Sequence, residues 1–242
     1  MDCLEFMKTL PNECVNLIIA DPPYFEVVKQ KWDNQWNTEQ EYIDWTHDYL
    51  KECSRVLKPN GSIYIWGLFP TFHSVVHLAR TLFTPLQENI WYKPNGNPIG
   101  GKHKFRQLYE NCASFVKDKK EYTFNSDDVR EPYVDSYETV LKKRNKKDIE
   151  RGYTPDPRGK LRSNVWIYGN QKKQGHFTPK HSNVCDNIVK VASNESDLVY
   201  IPFAGSGSEI LSCINNNRNY IATEIDNLYI DDIILPRIDN HI

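Results

Sequence analysis

The stretch from Leu198 to Glu224 constrains the fold more than any other part of the chain. Asp197-Leu198-Val199-Tyr200-Ile201 reads as a buried strand. It runs into the glycine-rich turn Pro202-Phe203-Ala204-Gly205-Ser206-Gly207-Ser208, then a helix to about Asn216, then the strand Tyr220-Ile221-Ala222-Thr223, which ends at Glu224. A strand, a glycine turn, a helix and a second strand form a crossover unit whose two strands run parallel. The same alternation opens the chain. Leu17-Ile18-Ile19-Ala20 is an apolar run stopped by Asp21-Pro22-Pro23-Tyr24, because two prolines cannot continue a central strand. Residues 39–57 then repeat Tyr42, Ile43, Trp45, Tyr49, Leu50, Cys53, Val56 and Leu57 at helical spacing. Lys58-Pro59-Asn60-Gly61 reads as the stop of that helix and Ser62–Trp66 as the next strand. A helix at about 71–83, strands near 88–93 and 111–117, and a helix at 181–193 complete the pattern. The expected fold class is α/β, a doubly wound and mostly parallel sheet.

From 119 to 175 the alternation fails, and charges, tyrosines and turn residues dominate. The chain therefore divides into 1–118, an inserted region 119–175, and 176–242, the outer two segments forming one domain. Residues 141–180 hold twelve Lys/Arg against Asp148, Glu150 and Asp156, a balance of +9. The whole chain sums to −2, so the remainder stands at −11. A basic segment on an acidic body is the footprint of a polyanion binder, although a solvated charged loop has the same composition. No apolar run approaches the ~18 residues of a membrane helix. The first residues lack the charged and apolar regions of a secretory signal. The six cysteines are scattered without a CxxC pair, which reads as core thiols of a cytoplasmic protein rather than a disulfide frame or zinc site.

Two loops can carry chemistry. In the first unit described, glycines let the backbone approach a ligand, and Glu224, 17 residues beyond Gly207, can grip a ribose diol. A dinucleotide site wants a third glycine where Ile210 stands, and a phosphate-binding loop wants a lysine that is missing, so an adenosyl ligand without phosphates fits best. A tight turn in any α/β protein would look the same. Asp21-Pro22-Pro23-Tyr24 sets a carboxylate, a carbonyl and an aromatic ring on a stiff turn at the carboxyl end of a strand. Asp21 and the Pro22 carbonyl can each accept an N–H from a planar amine while Tyr24 stacks on its ring. A simple strand terminator is the alternative. His73, His77 and His103 form no ligand-spaced set, so no metal is expected.

With these residues in place the chain resembles the S-adenosylmethionine-dependent DNA amino-methyltransferases of the adenine-N6/cytosine-N4 family. Its order, catalytic loop first and cofactor loop last, is similar to the family's β group. The anchors are Asp21–Tyr24, Arg55-Val56-Leu57-Lys58-Pro59-Asn60-Gly61, Trp91-Tyr92-Lys93, His176 to His181, Phe203–Ser208 and Glu224, and together they span nearly the whole chain. The resemblance implies a Rossmann-like methyltransferase sheet, S-adenosyl-L-methionine as cofactor and double-stranded DNA as partner, with the basic insert as target-recognition region. Asp21, Pro22 and Tyr24 would hold a flipped base. Phe203, Gly205, Ser206, Gly207 and Glu224 would hold the cofactor, with Asp21 at its edge and Asp2 near its adenine. His176, Thr178 and Lys180 match the family's H-x-T-x-K segment beside the methionine carboxylate. Lys142, Lys143, Arg144, Lys146, Lys147, Arg158 and Arg162 would contact DNA. By their position just after the catalytic turn, Lys29, Lys31 and Trp32 can form a mobile lip over base or cofactor, with plain aromatic packing the alternative for Trp32.

The implied activity is site-specific methylation of adenine N6, within a restriction–modification pair or as an orphan enzyme. A second copy of the chain and a companion restriction endonuclease are the protein partners compatible with it. Three alternatives stay open: N4-cytosine methylation, methylation of an RNA or protein amine, and a catalytically silent nucleic-acid-binding subunit. Two departures from the family pattern bear on the last of these, Ile201 where the family usually has Asp and His176-Phe177-Thr178-Pro179-Lys180-His181 where the family reads H-P-T-Q-K-P. A third is Asp2 at the very start of the chain, where the family has a short preceding strand.

Overall fold

A computed structural model of the protein describes residues 1–25, 33–95, 103, 105–170 and 179–241. A short helix α1 (Cys3–Met7) precedes β1 (Val15–Ala20). Helix α2 (Glu39–Val56) crosses to β2 (Leu57–Gly67), and α3 (Thr71–Leu82) leads to β3 (Thr84–Tyr92) and β4 (Tyr109–Val116). The inserted stretch holds a 3-10 turn (Ser126–Val129), the two-residue strand β5 (Arg130–Glu131), helices α4 (Tyr137–Lys142) and α5 (Lys146–Glu150), β6 (Lys160–Leu161) and β7 (Val165–Ile167). Helix α6 (Ser182–Ala192), β8 (Leu198–Ile201), α7 (Ser208–Asn215) and β9 (Asn219–Ala222) follow. A short helix α8 (Asn227–Tyr229), a π-helical turn (Ile230–Ile234) and α9 (Leu235–Asp239) close the described chain.

Seven strands form one sheet in the order β7-β3-β4-β2-β1-β8-β9. The pairs β1–β2, β1–β8, β8–β9 and β3–β7 are parallel, whereas β4 is antiparallel to both β2 and β3. The mostly parallel sheet expected from the alternation is therefore present. Its reversed strand, β4, is the one with no crossover helix among the described residues before it. Strand β1 is buried on both faces, as a strand covered by helices on each side must be. Ile18 and Ala20 join the core built with Tyr42, Leu50 and Cys53 of α2 and Phe72 and Val75 of α3. Leu17 and Ile19 join the opposite core with Val184 and Ile188 of α6 and Ile210 and Cys213 of α7.

Two boundaries differ from the sequence reading. Strand β2 begins at Leu57, not Ser62, because Lys58-Pro59-Asn60-Gly61 is a bulge within a strand rather than a separator before one. Leu57 pairs with Val15 and Ser62 with Leu17, so four residues stand opposite Asn16 alone. Lys58 Nζ donates to Asn16 Oδ1 at 2.9 Å across that bulge, and a Cβ on Gly61 would lie 2.9 Å from the Asn16 carbonyl. β3 begins at Thr84 rather than near residue 88, with Pro85 beside a register irregularity, where a missing donor is tolerated. Within the inserted stretch, β7 pairs with β3 at the sheet's edge, so residues 165–167 belong to the main sheet. All six cysteines are free thiols, five of them buried. Among the described residues no helix is long and apolar enough to cross a membrane.

Candidate active site

Strands β1 and β8 lie side by side and parallel, but the chain leaves them in opposite directions along the sheet, β1 toward β2 and β8 toward β9. A crevice opens outside the carboxyl ends of two such strands. The turn Asp21–Tyr24 follows β1 directly and the glycine turn follows β8, so the topology brings both sequence-predicted loops to this crevice.

The Asp21 turn is fixed from several sides. Pro22 is buried, Tyr24 N–H donates to Asp33 Oδ1 at 2.6 Å, and Thr71 Oγ1 at the start of α3 donates to the Tyr24 carbonyl at 3.0 Å. Tyr24 turns its hydroxyl back to donate to Asp21 Oδ1. The other carboxylate oxygen, Oδ2, meets Lys180 Nζ at 2.5 Å. Lys180, just before α6, is itself buried and makes a second ion pair with Glu110 Oε2 at 3.0 Å, while Lys93 at the end of β3 pairs with Glu110 Oε1. Its ammonium also stands 4.8 Å from the centre of the Trp66 ring. Burial alone would pull the Lys180 ammonium down, but the carboxylates of Asp21 and Glu110 outweigh it and hold its pKa well above the ordinary lysine value. Glu110 behaves likewise: burial opposes ionisation, and Lys180 and Lys93 overcome it, lowering its carboxyl to about 2. Burial raises the Tyr24 phenol well above its usual range, and the Asp21 charge adds to that.

The glycine turn has the backbone its sequence demands. Gly205 has φ +48° and Gly207 φ +73°, both in the left-handed region that side chains disfavour. Gly207 caps the N-terminus of α7, and Gly205 N–H donates to Glu224 Oε2 at 2.8 Å. Glu224 Oε1 accepts from Asp226 N–H at 3.0 Å, so the carboxylate at the end of β9 is locked in place with lone pairs left for a diol. Phe203 packs its ring against both Trp45 and Tyr49 of α2. Ser206 is buried, its hydroxyl 3.0 Å from that of Ser208, and its carbonyl accepts from Arg237 of α9. Ile201, where the resembling family usually has an acid, is 1% exposed in the apolar core beneath α6 and α7. Glu209 in the first turn of α7 is buried too, and burial with the nearby Asp21 charge pushes its carboxyl up to about 7. These groups fit an adenosyl ligand: the close-approach backbone, the oriented carboxylate and the absence of a loop lysine all match it.

Not every expected residue takes part in the way its motif suggested. Lys180 spends its ammonium on Asp21 and Glu110. Asp2 caps α1, its Oδ1 accepting from Leu4 and Glu5 N–H at 2.9 and 3.1 Å, while the Met1 ammonium binds the Glu224 carbonyl and brings the chain start to the end of β9. His176, Thr178, Lys29, Lys31 and Trp32 lie outside the described residues. Within the insert, Arg158 bridges Asp127 and Asp156, and Arg144 donates to the Leu141 and Tyr153 carbonyls. Arg162 donates to the Tyr168 hydroxyl, Lys143 pairs with Asp135 at 2.7 Å and Lys146 approaches Glu150 at 3.8 Å. Lys142 and Lys147 are exposed on the ends of α4 and α5. Sequence reasoning gave Glu110 no role, although an acid inside an otherwise buried strand signals a partner, since an unpaired charge there is costly.

A wound α/β sheet whose crevice joins a carboxylate–aromatic turn to a glycine turn is the layout of a transferase with an adenosyl donor. The family model described as DNA methylase matches residues 15–235, and the chain belongs to this N6/N4 DNA methylase family. The DNA adenine methyltransferase YhdJ of Escherichia coli (strain K12) is 32% identical over 241 residues, covering 95% of this chain and 78% of that protein. The fold is shared with the cytosine-N4-specific PvuII DNA methyltransferase, at a TM-score of 0.67 and 18% identity over 100% of this chain and 89% of that one. It is also shared with M1.HpyAVI in its SAM complex, at a TM-score of 0.63 and 24% identity over 98% and 96%.

Proposed function

We propose that the chain transfers a methyl group from S-adenosyl-L-methionine to the exocyclic N6 of an adenine flipped out of duplex DNA. The observation that carries this reading is the Asp21 carboxylate, held beside Tyr24 on the β1 turn, in the same crevice as the Gly205–Gly207 cradle and Glu224. When bound, the cofactor supplies an electrophilic methyl group on a sulfonium sulfur. Gly205 and Gly207 let the backbone close around it, and Glu224 holds its ribose hydroxyls. An exocyclic aromatic amine is a poor nucleophile because its lone pair is delocalised into the ring. Asp21 and the Pro22 carbonyl each accept one of its N–H groups, which pushes the lone pair out of the ring. As it bonds to the methyl carbon the methyl–sulfur bond breaks, that electron pair staying on sulfur as a neutral thioether. The cationic nitrogen gives up one proton by way of the Asp21 carboxylate to solvent. Tyr24 stacks on the base, releasing its hydroxyl bond to Asp21 so that the amine can take its place. The remainder of the acceleration is positioning, for which oriented binding can supply ~7–11 kcal/mol. A base still stacked in a duplex cannot reach a turn inside this crevice, so flipping is part of the reading.

Adenine is preferred to cytosine because Asp leads the turn, as the family pattern associates with adenine, and because YhdJ is named an adenine methyltransferase. N4-cytosine is the second reading, favoured by the likeness to the cytosine-N4-specific PvuII enzyme. Labelled S-adenosylmethionine incubated in parallel with duplex DNA, RNA and protein should label the DNA alone, and nuclease digestion should recover N6-methyladenine. Recovery of N4-methylcytosine would transfer the assignment to the second reading, and label in RNA or protein would overturn the DNA reading.

For the insert, the exposed Lys142 and Lys147 are the cations this reading gives to DNA phosphates, whereas Arg144 and Arg158 hold the insert's own structure. Lys142→Gln with Lys147→Gln should weaken duplex binding and reduce the slope of log affinity against log salt by up to ~0.9 for each lost phosphate contact. Titrations over a range of salt read this out directly. An unchanged slope would make these lysines plain surface.

A further inference from the structure

Resting on the role just given to Asp21, we propose that Lys180 and Glu110 are positioning residues for methyl transfer: the Lys180 ammonium, shared between two carboxylates, fixes Asp21 by one oxygen and leaves the other, with most of its negative charge, to the incoming amine.

Four ionised groups from four separate segments form a chain of alternating sign, Asp21–Lys180–Glu110–Lys93. The Lys180 and Glu110 side chains are 4% and 9% exposed. Charges this buried persist only when paired, and the four here sum to zero. The order of the chain matters. If Lys180 faced Asp21 alone, its charge would be spent on the carboxylate that must polarise the amine. Glu110 draws on the same ammonium from the other side, and Lys93 balances Glu110 in turn. Nitrogen becomes positive as its lone pair moves to the methyl group, so a fixed and incompletely neutralised carboxylate stabilises the transition state more than the ground state. The Tyr24 hydroxyl, 3.3 Å from Lys180 Nζ and bonded to Asp21 Oδ1, covers the working oxygen until a base replaces it. Glu209, Cys112 and Cys185 are the further titratable groups whose electrostatics involve Lys180.

A double-mutant cycle with Glu110→Gln and Lys180→Met separates this role from a structural one. Single-turnover transfer to a duplex with one target is followed across pH, alongside calorimetry with S-adenosylmethionine, duplex binding and thermal melting. Glu110→Gln should slow transfer by roughly tenfold with cofactor and duplex affinities unchanged, a part of the ~10²–10³ that a complete electrostatic contact can be worth. Lys180→Met leaves two carboxylates facing each other, and the pair takes up a proton more readily. Its rate should be lower still and should fall further as the medium is made mildly acidic. In that background Glu110→Gln removes the repulsion on Asp21 and should speed transfer, reversing the sign of its effect. Should Lys180→Met not fold, Lys180→Gln takes its place in the cycle. Native rates for the single variants, or slowing by Glu110→Gln in both backgrounds, would overturn the proposal. If Asp21→Asn is slow while these variants are fast, only the positioning role fails. If Asp21→Asn is itself fast, the reading of the site fails first.

Discussion

Asp21→Asn should lower the rate of methyl transfer by ~10²–10³, or ~3–4 kcal/mol, the usual consequence of losing a preorganised electrostatic contact in a closed site. The substitution keeps the size of the side chain and changes its chemistry. The native carboxylate offers one oxygen to Lys180 and one, through the Tyr24 hydroxyl, to the place of the amine. An asparagine has a single acceptor oxygen, and Lys180 holds that one. What then faces the amine is an N–H₂ group, which cannot accept from it and competes with it for acceptors. Lys180 retains its pair with Glu110, so the ammonium is not left alone in the interior and the variant should fold. Cofactor affinity should stay close to native, because most of the residues assigned to it, Gly205, Gly207 and Glu224 among them, belong to other segments and Asp21 stands only at its edge. Single-turnover kinetics with calorimetry on the same preparation checks both halves. A native rate would reduce Asp21 to a strand-end turn residue.

The site holds two kinds of residue, and the sequence discloses them unequally. Asp21, Gly205, Gly207 and Glu224 were legible because their positions answer to local rules. A proline pair ends a strand, a left-handed turn asks for glycine, and an acid closes the second strand of a crossover. The strands and helices around them were legible for the same reason, since their periodicities are local. What failed was whatever depends on a distant segment. Lys58-Pro59-Asn60-Gly61 has the composition of a turn, and only its pairing across Asn16 makes it a bulge inside β2. The reversed direction of β4 is seen only in its pairing with β2 and β3, which no periodicity states. Glu110 sits 70 residues from Lys180 and 17 from Lys93, so the charge chain behind Asp21 exists only in the fold. The insert teaches a related lesson. Counted over 141–180 it is strongly basic, yet Asp127, Glu131 and Asp135, just upstream, fold back onto Arg158, Lys160 and Lys143. Composition windows sum charge along the chain, while screening and pairing act through space.

Gly207→Val should abolish S-adenosylmethionine binding while leaving the sheet assembled. The cause is the backbone rather than crowding. Gly207 has φ +73° as the capping residue of α7, and a Cβ there would meet Ile234 at 3.5 Å, an ordinary contact. A β-branched residue pays more than the ~1–2 kcal/mol that any side chain costs in the left-handed region, because both γ carbons press on the following carbonyl. The chain relieves this by rotating the 205–208 segment toward negative φ. That rotation breaks the Gly207 N–H bond to Ala204 and moves Gly205 off Glu224, leaving the carboxylate assigned to the ribose held by Asp226 N–H alone of its two backbone donors. The cradle and the diol acceptor are thus lost together. The core beneath takes Ala204 from the turn but is built mainly without it, since Val199, Ile201, Ile210 and Cys213 pack with α6 and the face of β1 opposite α2. A folded variant with no calorimetric binding is the expected result. Gly207→Ala, with a smaller side chain under the same φ constraint, should bind weakly rather than not at all. A folded Gly207→Val protein with native cofactor affinity would show that the ligand lies elsewhere in the crevice.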